Sequence, residues 1–295
     1  MLWFASAAWA QHPGFHLVQS VIQDDSDADG TANSVLTQTY TYDQRKLIRT
    51  VSETDENGDG ITDRRSTVTL TYNRRSDRIL LEGETYSVAD DTVDSRSTIT
   101  YTYDKRGRRV GELTQFDRPA DGTVDLVTRT AYYYDRRGNL VRLVTQTDAG
   151  GNGTWNGTTT YTRTYDAHGN LVAQLRETDS NVDGAADFVV KSSYTHDARG
   201  HVVLAVTEMD YEADGVVDGI ERRSFTYNRR GDPVSSTAES DDGEGSVDVT
   251  IRTSYEYDAR GNPVRTVEEV DSNGDGIVDA IRTTTRTYAR VSSAR

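Results

Sequence analysis

The sequence contains no cysteine, only 4 prolines in 295 residues, and few apolar residues, 34% of the chain. The lack of cysteine excludes disulfide staples and a cysteine nucleophile. The low apolar content argues against a large conventional core, since globular chains contain roughly 45–50% with glycine counted. The net charge of -15 argues against nucleic acid as a partner, because its phosphates would be repelled. Metal cations are the natural partners of clustered carboxylates.

The first eleven residues, MLWFASAAWAQ, form an apolar segment. Small residues at Ala8 and Ala10 precede Gln11, as in the cleavage region of a secretory signal, although no Lys or Arg precedes the apolar run. The alternative is an apolar first strand that stays on the protein. No later stretch approaches the ~20 apolar residues of a membrane span. We predict a secreted or cell-surface protein, with residues 1–10 as the signal or strand and 11–295 as a single repeat domain.

A tyrosine-rich segment recurs along the chain at constant spacing. Each copy ends in an aromatic residue, usually followed by Asp or Asn and often by Arg-Gly, as in YYYDRRG from Tyr132. The residue after the last aromatic is Asp43, Asn73, Asp104, Asp135, Asp166, Asp197, Asn228, Asp258 and finally Ala289. Successive positions differ by 30 or 31 residues, so the chain consists of nine repeats.

Each repeat contains two strand-like segments. The two aromatics of a copy are two positions apart, as in Tyr255 and Tyr257, so they share one face of a strand. In the other strand Leu140 and Val141 take opposite faces, which predicts a sheet covered on both sides near this end. Gly138 and its counterparts supply the left-handed residue of a type I turn with a bulge. The pattern predicts an all-β fold, in which nine β-hairpin repeats form a long antiparallel meander that coils into a spiral or tubular sheet.

The connection opposite the tight turn is an acidic loop, and the last copy reads DSNGDGIVD. Oxygen-bearing side chains stand at its first, third, fifth and ninth positions. Glycine at the sixth position permits a sharp turn, and the seventh residue offers its carbonyl. Calcium prefers about six to eight oxygen ligands at roughly 2.3–2.6 Å, whereas magnesium demands strict octahedral geometry. We therefore predict calcium as the cofactor, bound along one edge of the sheet.

Six loops are predicted to bind calcium through these positions. Three match completely, two vary at one position, and the loop from Ser240 is weaker because serine stands first. The predicted ligands are Asp25, Asp27, Asp29, Thr31 and Asn33; Asp55, Asn57, Asp59, Ile61 and Asp63; Asp179, Asn181, Asp183, Ala185 and Asp187; Asp210, Glu212, Asp214, Val216 and Asp218; Asp242, Glu244, Ser246 and Asp248; and Asp271, Asn273, Asp275, Ile277 and Asp279.

Three loops are degraded. The loop with Pro119 at its third position supplies the weaker ligands Asp117, Asp121 and Asp125. Another keeps only Asp90 and Asp94, and the third keeps only Asp148, whose replacement is expected to have little effect. The alternative for any single loop is a solvated turn rich in Asp and Asn, but several complete copies in register favour a metal site.

Catalytic patterns are missing from the sequence. The five histidines are His12, His16, His168, His196 and His201, and drift of the repeat explains them better than a catalytic set. No serine lies in a nucleophile-elbow motif. The paired carboxylates of a glycosidase are already accounted for by the loop pattern. We predict that the protein is not an enzyme. The tyrosine stripe is interpreted as sheet packing, with a platform for sugars as the alternative.

The tyrosine turns resemble a known bacterial repeat. YDRRGNLV at Tyr134, YDAHGNLV at Tyr165 and YDARGNPV at Tyr257 resemble the YD repeats of RHS-type proteins, over residues 16–290. The resemblance implies long spiralling sheets of hairpins that wall off a hollow shell. The period is longer than is usual in that family, and the extra residues are the acidic loops. Those loops resemble the calcium loops of dockerins, thrombospondin type 3 repeats and FG-GAP propellers.

Three functions remain open at this stage. The preferred one is a secreted calcium-binding structural repeat protein that forms an extracellular fibre, stalk or matrix. Its copies are expected to associate head to tail, because the outer strands of the repeat array are of opposite kinds and would pair in the native register. The alternatives are an adhesin-type module for a surface glycan or a protein, and an RHS-like shell fragment of a toxin system. Neither a nucleic-acid partner nor a membrane span is predicted.

Overall fold

The computed structural model describes residues 18–24, 32–44, 46–90 and 92–288. This part of the chain forms eighteen β-strands and no helix, which confirms the predicted all-β fold. The strands are β1 (Gln19–Asp24), β2 (Ser34–Asp43), β3 (Lys46–Asp55), β4 (Arg64–Tyr72), β5 (Arg78–Ser87), β6 (Thr92–Tyr103), β7 (Arg109–Asp117), β8 (Leu126–Tyr134), β9 (Leu140–Ala149), β10 (Gly157–Tyr165), β11 (Leu171–Asp179), β12 (Phe188–His196), β13 (Val202–Asp210), β14 (Gly219–Tyr227), β15 (Pro233–Asp241), β16 (Val249–Tyr257), β17 (Pro263–Asp271) and β18 (Ala280–Thr285). The predicted signal or strand at residues 1–10 lies outside the described residues.

The strands are connected as the predicted meander. The chain divides into two compact units, residues 1–131 with 147–155, and residues 132–146 with 156–295. In the first unit each strand from β1 to β8 pairs antiparallel with the next. In the second unit the strands from β10 to β18 do the same. Alternate connections therefore share an edge, with acidic loops on one side and tight turns on the other. Among the described residues there is no helix long and apolar enough to cross a membrane.

The tight turns follow the predicted chemistry. Gly138 has φ +99, and the Asp135 carboxylate accepts its amide at 2.7 Å and that of Asn139 at 2.8 Å. In the next repeat, hydrogen bonds from the side chain and amide of Asn170 lower the pKa of Asp166 to about 2. The strand register shifts at the last aromatic of each such hairpin, as between Thr164 and Tyr165, which is the expected bulge.

The last tyrosine of each pair links neighbouring hairpins. The Tyr165 hydroxyl donates to the Leu140 carbonyl at 3.0 Å, and Tyr257 donates to Pro233 at 2.7 Å. Further bonds of this kind join Tyr72 to Leu47, Tyr103 to Arg78, Tyr227 to Val202 and Tyr288 to Pro263. Each acceptor belongs to the first strand after the preceding tight turn. These tyrosines therefore tie consecutive turns together along that edge.

Tyr257→Phe is expected to lower the free energy of unfolding by about 1 kcal/mol, because it deletes this hydroxyl and leaves the ring in place. The matched control is Tyr255→Phe, two residues earlier on the same face, where the described residues provide no hydrogen bond to the hydroxyl. Urea denaturation measures both. Equal stability of the two variants would contradict the structural role of the Tyr257 hydroxyl.

The predicted covering of both sheet faces is wrong for the described residues. Among their apolar side chains only Leu70 is buried, at 7% exposure. Leu204, on the opposite face from the tyrosines, is 38% exposed. Because so little apolar surface is removed from water, the strand ladders, the cross-strand pairs and the loop hydrogen bonds have a larger share in stability.

Candidate metal centre in the acidic loops

Most acidic loops are organised around one buried aspartate at the first position, which we call the anchor. The anchors with only 2–8% of their surface exposed are Asp55, Asp117, Asp148, Asp210, Asp241 and Asp271. At the end of β3, Asp55 accepts the amide of Gly58 at 2.6 Å on Oδ1 and that of Gly60 at 2.8 Å on Oδ2. Because an ionised carboxylate is a strong acceptor, the anchor closes its loop from the inside.

The side chains at the third, fifth and ninth positions also accept amides of their own loop. After β17, Asn273 accepts from Asp275, and Asp275 accepts from Ile277. Asp279 accepts the Ser272 hydroxyl at 2.5 Å and the Ser272 amide at 2.8 Å, and these bonds lower the pKa of Asp279. The Asp279 carboxyl is therefore ionised at neutral pH.

Two anchors keep a carboxylate oxygen without a partner. Asp271 is 2% exposed, and its Oδ2 accepts the Gly276 amide at 2.9 Å. Its Oδ1 has no hydrogen-bond donor among the described residues, and the same holds for Oδ1 of Asp117. A buried carboxylate oxygen without a donor is costly, so a bound cation would stabilise either loop.

The carboxylates of a loop are not gathered around one point. Within the described ranges, no group of three or more Asp, Glu or His side chains is arranged to hold a metal ion. Most loop carboxylates instead accept backbone amides of their own loop. Calcium also uses Asn and peptide oxygens, which the third and seventh positions supply. The predicted donors are thus present in the expected order, and binding an ion would require some of them to turn inward.

Five of the six predicted sites lie in fully described loops, and in four of these, after β3, β11, β13 and β17, the residues take the predicted positions. Their ninth residues Asp63, Asp187, Asp218 and Asp279 accept the amide of the second residue. Their seventh residues Ile61, Ala185, Val216 and Ile277 donate an amide to Asp59, Asp183, Asp214 and Asp275. At the third position Asn57 and Asn181 accept the amide of the fifth residue, and Glu212 is exposed.

The first predicted site is only partly described. Asp25, Asp27, Asp29 and Thr31 lie outside the described residues, and the Asn33 amide donates to the Asp24 carbonyl.

The loop after β15 differs from the prediction by one residue. Pairing sets Ile220 opposite Asp241, just as it sets Val189 opposite Asp210. Asp241 is therefore the anchor, and Ser240, which the sequence pattern placed first, is the residue before it.

Asp241 is a site residue that sequence reasoning missed. Its Oδ2 accepts the Arg222 guanidinium at 2.9 Å and its Oδ1 accepts the Gly243 amide at 2.9 Å, and these bonds lower its pKa. The predicted ligands Asp242, Glu244, Ser246 and Asp248 follow it in the loop. The available signal was the interval of 30 residues from Asp218 to Asp248, which shows that this repeat is one residue short but not where the residue is missing.

The three degraded loops behave differently from one another. Between β5 and β6, Ser87 pairs with Thr92, so the segment around Asp90 is a tight hairpin. The loops anchored by Asp117 and Asp148 keep the bonding pattern of the complete loops.

Asp148 in particular is buried to the same degree as Asp271, at 2% exposure. It accepts the Gly153 amide at 2.8 Å and the Asn152 amide at 3.3 Å. The expectation that Asp148 is expendable therefore conflicts with its burial, because an anchor has a structural role that does not depend on the other carboxylates of its loop.

Neighbouring acidic loops touch at a glycine. A Cβ on Gly274, the fourth residue of its loop, would lie 1.8 Å from the carbonyl oxygen of Val247 in the preceding loop. Gly58 stands in the same relation to Ala32, also at 1.8 Å. Ala213 holds this position in another loop with φ +53, so a Cβ is accommodated there. The glycines mark the places where two loops are in backbone contact.

Gly274→Ala is expected to destabilise the protein by about 2 kcal/mol more than Gly276→Ala, because the new methyl group would overlap a backbone carbonyl. Both glycines have positive φ, +70 and +85, so both variants carry the conformational cost of about 1 kcal/mol. A Cβ on Gly276 meets nothing within 4 Å, which makes it the matched control. Thermal denaturation compares the two, and equal losses would argue against the loop contact.

No family model matches the chain, and no curated protein matches it in sequence. Among solved structures, a porin-like protein from Bacteroides uniformis is similar with 14% identity and a TM-score of 0.35, covering 86% of this chain and 95% of that one. A chain of the TcdB2-TccC3-TEV structure has 14% identity and a TM-score of 0.23, and the similarity spans 90% of this chain but only 19% of that one. A porin-like protein from Bacteroides vulgatus has 11% identity and a TM-score of 0.23, with 91% and 97% covered. TM-scores this low carry no information about what the chain binds, and the YD-repeat and calcium-loop resemblances stay predictions.

Proposed function

We propose that this protein is a secreted, non-enzymatic structural repeat protein whose acidic loops bind calcium. The observation that carries the proposal is the unpartnered Oδ1 of Asp271, a carboxylate that is 2% exposed. The same loop also carries oxygen donors on Asn273, Asp275 and Asp279. A hard cation with a preference for carboxylate and amide oxygens fits this donor set.

The ions would act as staples in a chain without disulfides. They would offset the repulsion among loop carboxylates in a protein of net charge -15. Acidic loops recur every second strand, so bound ions would lie roughly 10 Å apart. Two divalent ions at that distance repel by only about 1.7 kcal/mol in water, which the carboxylates between them can offset. Affinity in the ~10⁻⁴–10⁻³ M range suits an extracellular module.

Calcium counting after equilibrium dialysis tests the proposal. About five or six ions per chain are expected, one for each of the six loops predicted to bind calcium, of which the loop after β15 is the weakest. Asp275→Asn keeps the acceptor for the Ile277 amide but removes the charge, so it should lose one ion. Asp90→Asn, in the tight hairpin, should lose none. Fewer than one ion per chain, or equal losses in the two variants, would overturn the proposal.

Self-association into a fibre, stalk or matrix is the second part of the proposal. Apolar side chains are exposed on β1 and β18, with Val21 at 54%, Ile22 at 57% and Ile281 at 65%. Exposed apolar strands invite pairing with another strand, and a head-to-tail contact does not close on itself. Sedimentation velocity should show growing assemblies with concentration, and Ile281→Lys should suppress them. Identical behaviour of the variant and the parent protein would remove strand pairing from the proposal.

A further inference from the structure

A groove of about 560 Å³ crosses β6, β7 and β8 in the first unit, on the face that carries the anchor aspartates. Trp155 lines this groove and is the only tryptophan among the described residues. It takes the eighth position of the Asp148 loop. The corresponding residues elsewhere are small or branched, as in Val124 and Val278. A tryptophan at this place adds a large flat apolar surface with one N–H donor.

The floor of the groove lacks large side chains. Gly111 lies inside β7 opposite Thr102 and Ala131, and its φ is not in the left-handed region, so the backbone does not require glycine. A Cβ there would lie 2.4 Å from the Thr102 hydroxyl. Glycine inside a strand often marks a place that a ligand or another backbone approaches closely. Leu113 and Val127 complete the apolar lining.

Arg129 supplies the positive charge of the groove, and Glu112, which also lines it, is paired with Arg109. Arg129 lies opposite Leu113 on the same face, is exposed, and has no ion pair or hydrogen bond among the described residues. An exposed guanidinium without an ion pair is a local positive charge, which favours an anionic group on a ligand that contacts it directly. Its planar fork matches a carboxylate in a bidentate geometry.

We propose that this groove binds an acidic saccharide, a chain of uronic acid residues. The Trp155 ring stacks on the apolar face of one sugar ring, and Arg129 pairs with its carboxylate. The Thr102 hydroxyl, on the same face, bonds a sugar hydroxyl. The groove is concave and mostly apolar with a few polar groups, which is the usual character of a small-ligand site. Binding at this site does not require calcium, so its test is independent of the proposed function.

The repeat provides an internal control four copies later. Arg252 occupies the position of Arg129, is exposed, and pairs opposite Thr237, as Arg129 pairs opposite Leu113. Val278 stands where Trp155 does, and Ser235 stands in place of Gly111. The second place therefore keeps the charge but lacks the aromatic wall and the open floor.

Titration of the full chain with trigalacturonic acid, followed by calorimetry and tryptophan fluorescence, tests the site. Trp155→Ala and Arg129→Gln should each weaken binding about tenfold or more, Trp155→Phe should retain part of it, and Arg252→Gln should leave it unchanged. The neutral trisaccharide maltotriose should bind at least tenfold more weakly.

Three outcomes would overturn the assignment. One is the absence of binding at millimolar trigalacturonic acid, and another is equal losses in Arg129→Gln and Arg252→Gln. The third is binding that persists unchanged in Arg129→Gln, which would indicate calcium-bridged uronate at the acidic loops. Circular dichroism of each variant confirms that the fold is retained.

Discussion

Chelation of calcium with EDTA is expected to lower the melting temperature of this protein by roughly 20–40 °C. An ion that binds only the folded state adds RT ln(1 + [L]/Kd), or about 2.7 kcal/mol per site at a hundredfold excess. About five sites would contribute on the order of 10 kcal/mol, and each kcal/mol shifts the midpoint by about 2–4 °C in a chain of this size class. Differential scanning calorimetry in 10 mM calcium and in EDTA measures the shift.

Magnesium at the same concentration is the control for the calcium experiment. Magnesium should restore little of the lost stability, because it holds its waters and requires octahedral geometry. Sodium chloride at matched ionic strength separates general screening of the carboxylates from specific binding. A melting temperature that EDTA leaves unchanged, or that magnesium restores as fully as calcium, would contradict calcium-dependent stability.

Asp148→Ala is expected to lower the free energy of unfolding by about 4 kcal/mol, even though its loop carries a single carboxylate. The substitution leaves the amides of Asn152 and Gly153 without their acceptor at a site that is 2% exposed. A hydrogen bond to a charged group contributes about 1.5–3 kcal/mol, and two are lost. Urea denaturation of the variant in EDTA gives the value.

The comparison with Asp271→Ala separates the anchor role from the metal role. In EDTA Asp271→Ala should lose less than Asp148→Ala, because Asp271 accepts one amide and keeps an unpartnered Oδ1, whereas Asp148 accepts two amides. In calcium Asp271→Ala should lose an additional amount, since only that loop also carries Asp275 and Asp279. Asp148→Asn keeps one acceptor oxygen and should recover part of the loss. A neutral Asp148→Ala variant would mean that the buried anchor does not hold its loop.

The repeat, the strands and the tight turns could be predicted because their causes are local. Alternation with period two sets the strands, and a turn such as Asp135 to Asn139 is closed by hydrogen bonds among residues at most four positions apart. The donor order of the acidic loops was readable for the same reason. The direction of each loop carboxylate could not be predicted, because it depends on which amide of the folded loop the carboxylate accepts. Asp275, for example, accepts the amide of Ile277.

By itself the sequence determined an all-β meander of hairpins with acidic loops on one edge, since strand period and turn chemistry act between near neighbours. Only the tertiary structure decided that Asp241 replaces Ser240 as an anchor, because this follows from the register with Ile220 on the adjacent strand. It also decided that Asp148 is buried and that Gly274 meets Val247. Burial and backbone contact involve residues about one repeat apart in the chain. A sequence pattern within a single repeat therefore does not show how closely the neighbouring repeat packs against it.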